Sequence, residues 1–182
     1  MDASSSIQSA MTGRLRLYKS TERPTLDGWE DLDLVLDRPN LVVDTAQTAL
    51  LGLLQRQFTD YAPAYIVLGA GGDLEQVSKQ DFGSRVAPAV TDTEVREVVA
   101  RLPILQITPD DSDDTSWDYV TIARPHEANT TSLNELGLET ANNTLIAHVV
   151  TDPDAGESRA KKYVKSSLEY LVVRWTMTFT LS

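Results

Sequence analysis

One stretch near the end of the chain limits the fold more than any other. Leu171, Val173, Trp175, Met177, Phe179 and Leu181 fall on one side of an extended backbone, and Tyr170, Val172, Arg174, Thr176, Thr178 and Thr180 fall on the other. At ~3.4 Å per residue, a strand over 168–181 would span roughly 45 Å. A strand that long, with one bulky apolar face, belongs in the middle of an antiparallel sheet. The large side chains should seal the core, and the Thr-rich side should meet solvent or a neighbouring subunit.

The same two-residue period recurs along the chain. Leu15 and Leu17 alternate with Arg14, Arg16 and Tyr18, and Leu32, Leu34 and Leu36 alternate with Asp31 and Asp33. Pro24 and Asp27-Gly28 lie between them, which predicts a hairpin with a long connection that ends at Pro39. Tyr65 to Leu68 reads as a buried strand running into a turn at Gly69-Ala70-Gly71-Gly72. Tyr119, Thr121 and Ala123 alternate with Val120 and Ile122 after an acidic segment, 110–117, that reads as an exposed loop. Residues 133–138 and 145–150 form a further hairpin, because Asn142-Asn143 favours a turn with positive φ.

One helix stands out. Asp44 is a good N-cap, and Ala46, Leu50, Leu51, Leu54 and Phe58 follow at spacings near 3.6, which places them on a single stripe. Thr91 to Glu94 has the form of a capping box before Val95, Val98 and Val99, where helix and strand are evenly matched. The fold class is therefore mainly β with one or two helices, antiparallel and β-sandwich-like. With 182 residues the chain fits one domain. We place that domain at 13–182, behind a flexible or partner-ordered arm over 1–12, in which Ile7 and Met11 are apolar side chains in a polar setting.

Charge removes several functions. The 27 acidic and 16 basic residues give a net charge of -11, which opposes approach to nucleic acid or an anionic membrane. The absence of cysteine excludes thiolate metal sites, thiol nucleophiles and disulfides. No apolar run reaches the ~18 residues of a membrane span, and residues 1–12 lack the basic start and apolar core of a signal peptide. A soluble, unprocessed chain is expected.

Little points to catalysis. His126 and His148 have no second His or carboxylate at metal-ligand spacing and read as structural. The 69–72 glycines lack the remainder of a phosphate-binding motif, and Asp73 and Glu75 follow them. Asp110, Asp111, Asp113, Asp114 and Asp118 lack the Gly and closing Glu of a calcium-binding loop, so they read as solvated. No catalytic, cofactor-binding or metal-binding residue is assigned. Trp175 is in phase with the core face, whereas Trp117, within the acidic segment, is available for a partner. The candidate interface residues are Ile7, Met11 and Trp117.

Three motifs in order carry a resemblance. Asn134-Glu-Leu-Gly-Leu138, then Asn142-Asn-Thr-Leu-Ile-Ala-His148, then Leu171-Val-Val-Arg-Trp-Thr-Met-Thr-Phe179 resemble the strands of small structural proteins of tailed viruses. Arg38 to Val43 before the helix, Tyr65 to Gly69 and Thr91 to Thr93 are similar to the usual beginning of that group, so the likeness touches about two-thirds of the chain. Asn142-Asn143 replaces the usual Asp-Gly, and His148 stands where Arg is common. The resemblance implies a non-enzymatic component of a tail, baseplate, fibre or neck/collar, without cofactor, located in the virion and assembled in the host cytoplasm. Its partners would be further copies of itself and other virion proteins. Two alternatives stand beside it: a receptor- or carbohydrate-binding module using Trp117 and the acidic segment, and a glycan hydrolase using two carboxylates.

Overall fold

The computed structural model describes residues 9–29, 31–70, 89–110, 113–129, 132–151 and 163–181. Its elements are β1 (Ser9–Ser20), β2 (Asp33–Val42), α1 (Thr45–Leu54), α2 (Phe58–Tyr61), β3 (Pro63–Gly69) and β4 (Val98–Pro103). These are followed by β5 (Gln106–Asp110), β6 (Asp113–Ala123), β7 (Ser132–Leu133), β8 (Glu135–Thr140), β9 (Leu145–Val150), β10 (Tyr163–Val164) and β11 (Tyr170–Leu181). Nine strands form one sheet in the order β4-β3-β8-β9-β2-β1-β11-β6-β5, and β7 pairs with β10 apart from it. Every pairing is antiparallel. The mainly β, antiparallel fold with two helices agrees with the alternation in the sequence.

The sheet is curled. Its edge strands β4 and β5 are consecutive in the chain, separated only by Ile104 and Leu105. At this corner the Ile104 N–H donates to Ala64 O in β3, and the Leu105 N–H donates to Val120 O in β6. The Thr121 hydroxyl donates to Pro103 O across the same junction. β2 makes the other corner, pairing with β1 up to Asn40 and with β9 through Leu41 and Val42. The strand therefore runs through Pro39 instead of ending there. A proline, which cannot donate to a ladder, is tolerated where a strand is about to change neighbour.

β11 lies between β1 and β6. Leu171, Val173, Trp175 and Met177 are buried with Leu15, Leu17, Tyr119 and Ala123, and Ile66, Leu68, Leu136, Leu138 and Val149 meet them from the other half of the sheet. Burial of each large apolar side chain contributes about 1.5–3 kcal/mol. The opposite face of β11 corrects the expectation of a solvent-facing, Thr-rich side. Val172 packs with Tyr18 and Val120 beneath Leu26, Trp29 and Leu32. The Arg174 guanidinium sits 4.0 Å from the Trp29 ring centroid and pairs with Asp118 and Asp110. The β1–β2 connection thus covers this face with a second, smaller core.

Three other readings change. The acidic segment 110–117 is mostly strand, since β5 runs to Asp110 and β6 starts at Asp113, with residues 111–112 outside the described set. Thr91 to Glu94 is neither helix nor strand but part of an irregular segment leading into β4. β1 begins at Ser9, inside the stretch read as an arm, and places Met11 opposite Phe179; Ile7 lies outside the described residues. The glycines 71–72 lie outside them too.

Helix α1 is rotated from its expected setting. The Gln57 N–H donates to Gly52 O and the Arg56 N–H to Leu53 O, with Arg56 at φ 63°, which is a Schellman ending. The chain then turns into α2, and Tyr61 packs where a β-carbon on Gly52 would collide with its ring. Ala46, Ala49 and Gly52 are the buried side of α1. Leu51, Leu54 and Phe58, expected on the buried stripe, are exposed instead.

Candidate functional site

The most prominent surface feature is apolar and lies at the end of the curled sheet covered by α1. Leu51, Leu54 and Phe58 are 58%, 73% and 59% exposed. Next to them Leu50 and Leu53 line a small groove with Met11, Tyr61, Met177 and Phe179. Among the described residues no charged side chain lines this groove. Sheet register carries the surface onward: Met11 pairs with Phe179 and Trp117 pairs with Met177, all on the side of the sheet that faces the core. Trp117, 42% exposed, and Phe179, 36% exposed, are the ends of core-facing rows that run beyond the core. Two sequence candidates, Met11 and Trp117, are thus on one face at one end.

Arg56 and Asp60 flank Phe58 in sequence, and both are exposed. Neither side chain has an ion pair among the described residues. Sequence reasoning missed Leu51, Leu54 and Phe58 as surface because their spacing matches a buried stripe equally well. The available signal was Gly52, whose bare face admits Tyr61 and sets which side of α1 turns inward.

A second feature is a buried polar clamp on the outer face of the β3-β8-β9 part of the sheet. His148 Nε2 lies 2.8 Å from Glu135 Oε2, and Nδ1 lies 2.9 Å from Asp92 Oδ2. Where both carboxylates are ionised, both ring nitrogens donate, an arrangement that favours the imidazolium. Burial alone would lower its pKa, but the hydrogen bonds and charges of Glu135 and Asp92 outweigh that and hold it above the ordinary value. Asp92 is also opposed by burial, yet the Ala89 N–H, His148 and Arg96 keep its carboxyl below the usual range. Val95 sits over Gly69 and Gly137, where an added β-carbon would strike it. The clamp and this wedge fix the irregular segment 89–97 to the sheet.

His148 thus has two carboxylate partners that spacing in the sequence did not reveal. They are 13 and 56 residues away. The carboxylates approach opposite nitrogens instead of converging on a point, and no group of His, Cys, Asp or Glu among the described residues is arranged to hold a metal ion. His126 lies in an exposed turn. An open cleft of about 800 Å³ sits at the β4–β5 corner, lined by Arg23, Arg124, Leu26, Leu105, Tyr170 and one carboxylate, Glu127, among others. Among the described lining residues Glu127 is the one carboxylate. Among the described residues no helix is long and apolar enough to cross a membrane.

Comparison with known protein families, with curated proteins and with solved structures finds no match to this chain.

Proposed function

We propose that this protein is a non-enzymatic structural component of a tailed-virus particle, placed in the tail, baseplate, fibre or neck/collar region. The observation that carries the assembly reading is the exposed apolar surface around Leu51, Leu54 and Phe58. A soluble monomer seldom keeps a contiguous apolar patch open to water, and such patches mark contact surfaces. A net charge of -11 makes the contrast sharper, because an acidic surface repels further copies wherever it stays charged. The viral part of the reading rests on the ordered resemblance of 134–138, 142–148 and 171–179, which lie on or beside β8, β9 and β11.

The test is immunogold labelling of purified particles with an antibody raised against this chain, together with mass spectrometry of the particle proteins. Labelling at one discrete structure supports the proposal. Particles made with the protein in the same cell but free of it refute the proposal. A receptor-binding role has one observation of its own, the exposed Trp117 indole. Oligosaccharide titration followed by tryptophan emission would detect it, and a flat response would dismiss it.

A further inference from the structure

We propose that the cleft at the β4–β5 corner is a binding site for a small amphiphilic monoanion, a carboxylate carried on an aliphatic body. The site goes beyond the assembly reading and does not depend on it. Two arginines reach the cleft from distant parts of the chain, Arg23 from the β1–β2 connection and Arg124 from just past the end of β6. Both are exposed, and among the described residues neither guanidinium has a partner. Elsewhere the guanidinium groups of Arg14, Arg101 and Arg174 are committed to Asp37, Glu139 and Asp118. The one carboxylate of the lining, Glu127, is engaged in its own turn, where its Oε2 accepts the Arg124 N–H at 2.7 Å. Two cations against one anion leave a single positive charge, which one carboxylate would balance, and a guanidinium fork matches that group in shape.

The rest of the lining selects an apolar body. Leu26, Leu102, Pro103, Leu105 and Ile122 face the same space, and Leu105 is 51% exposed. The walls are pinned before any ligand arrives. Ile104 and Leu105 are bonded to Ala64 and Val120, the Thr121 hydroxyl holds Pro103 O, and Gln106 Nε2 donates to Asp27 Oδ1 at 3.1 Å, tying the corner to the β1–β2 connection. A preformed concave site of about 800 Å³ is within the roughly 300–1,000 Å³ of small-ligand pockets. Size also decides against an acidic macromolecule: with a net charge of -11, the remaining surface would repel a polyanion that reached past the cleft, whereas a small anion meets only the two arginines.

The test is a titration of the full, isotope-labelled chain followed by amide NMR, with octanoate, acetate, octan-1-ol and polyglutamate as probes. Octanoate should bind saturably and shift the amides of 23, 25–26, 102, 104–105 and 121–127. Acetate lacks the body and octan-1-ol lacks the charge, so each should bind about tenfold more weakly or worse. Arg23→Gln and Arg124→Gln, both at exposed positions and checked for an unchanged spectrum away from the cleft, should each weaken octanoate by about tenfold. No saturable octanoate binding, or shifts confined to the α1–α2 face, overturns the proposal. So does octan-1-ol or acetate binding as tightly as octanoate, polyglutamate binding in preference to it, or octanoate affinity unchanged in both arginine variants.

Discussion

Replacing His148 with leucine should be among the most damaging single changes outside the central core, and its cost follows from Glu135. That carboxylate is fully buried, and its Oε1 has no hydrogen-bond partner among the described residues. Its Oε2 is held by His148 Nε2 at 2.8 Å. His148→Leu leaves both oxygens unpartnered inside the protein, and breaking one side of a buried ion pair typically costs about 3–5 kcal/mol. Asp92 loses a partner too, but it keeps the Ala89 N–H at 2.9 Å and Arg96 nearby. Most of the penalty therefore falls on Glu135. Replacing both partners with His148→Leu/Glu135→Leu removes the stranded charge and should recover most of the loss, since an apolar pair of similar volume often equals a buried ion pair. Urea unfolding at pH 6, followed by tryptophan emission, measures all three proteins. A single variant within about 1 kcal/mol of wild type, or a double variant as unstable as the single, would refute the idea that this charge network anchors the 89–97 segment.

The same clamp sets a pH dependence. Because the folded His148 pKa is raised above its ordinary 6.5, its contribution is complete below that value and is lost as pH rises through the folded pKa. Asp92 works in the other direction: its lowered pKa contributes above the ordinary 3.8 and is lost as pH falls through the folded value. Amide exchange in 89–97 should be slowest between those limits and should quicken on the alkaline side, and equal protection at pH 6 and pH 9, after correction for intrinsic rates, would contradict the clamp. Arg56→Gly relieves the left-handed strain at the end of α1 and should add about 1 kcal/mol to protomer stability, or about 2–4 °C in Tm. An unchanged or lower Tm would argue against the Schellman ending.

Strand alternation made much of the sheet legible. β1, β2 and β11 follow the two-residue period, and β8 and β9 are the apolar segments on either side of the Asn142-Asn143 turn, which has its positive φ at Asn143, φ 64°. The apolar stripe after Asp44 marked α1 but not which side of it is buried. That depends on Tyr61 packing against Gly52, a contact that helical periodicity does not encode. The acidic segment looked like loop because its Asp residues mask the strand period, whereas Asp118 is buried against Arg174, 56 residues away. The outer face of β11 looked exposed because its cover, Trp29 and Leu32, comes from a connection with no period of its own. The clamp was invisible for the same reason, since Asp92, Glu135 and His148 meet only after the sheet has formed.

The claim that this chain builds particles through the α1–α2 face is tested most directly by electron cryo-microscopy of the purified virus. The account predicts density for the nine-strand curled sheet in the tail, baseplate, fibre or neck, with Leu54 and Phe58 buried against a neighbouring subunit. Particles in which the chain is present with that face open to solvent would contradict the interface, and particles lacking the chain would contradict the function.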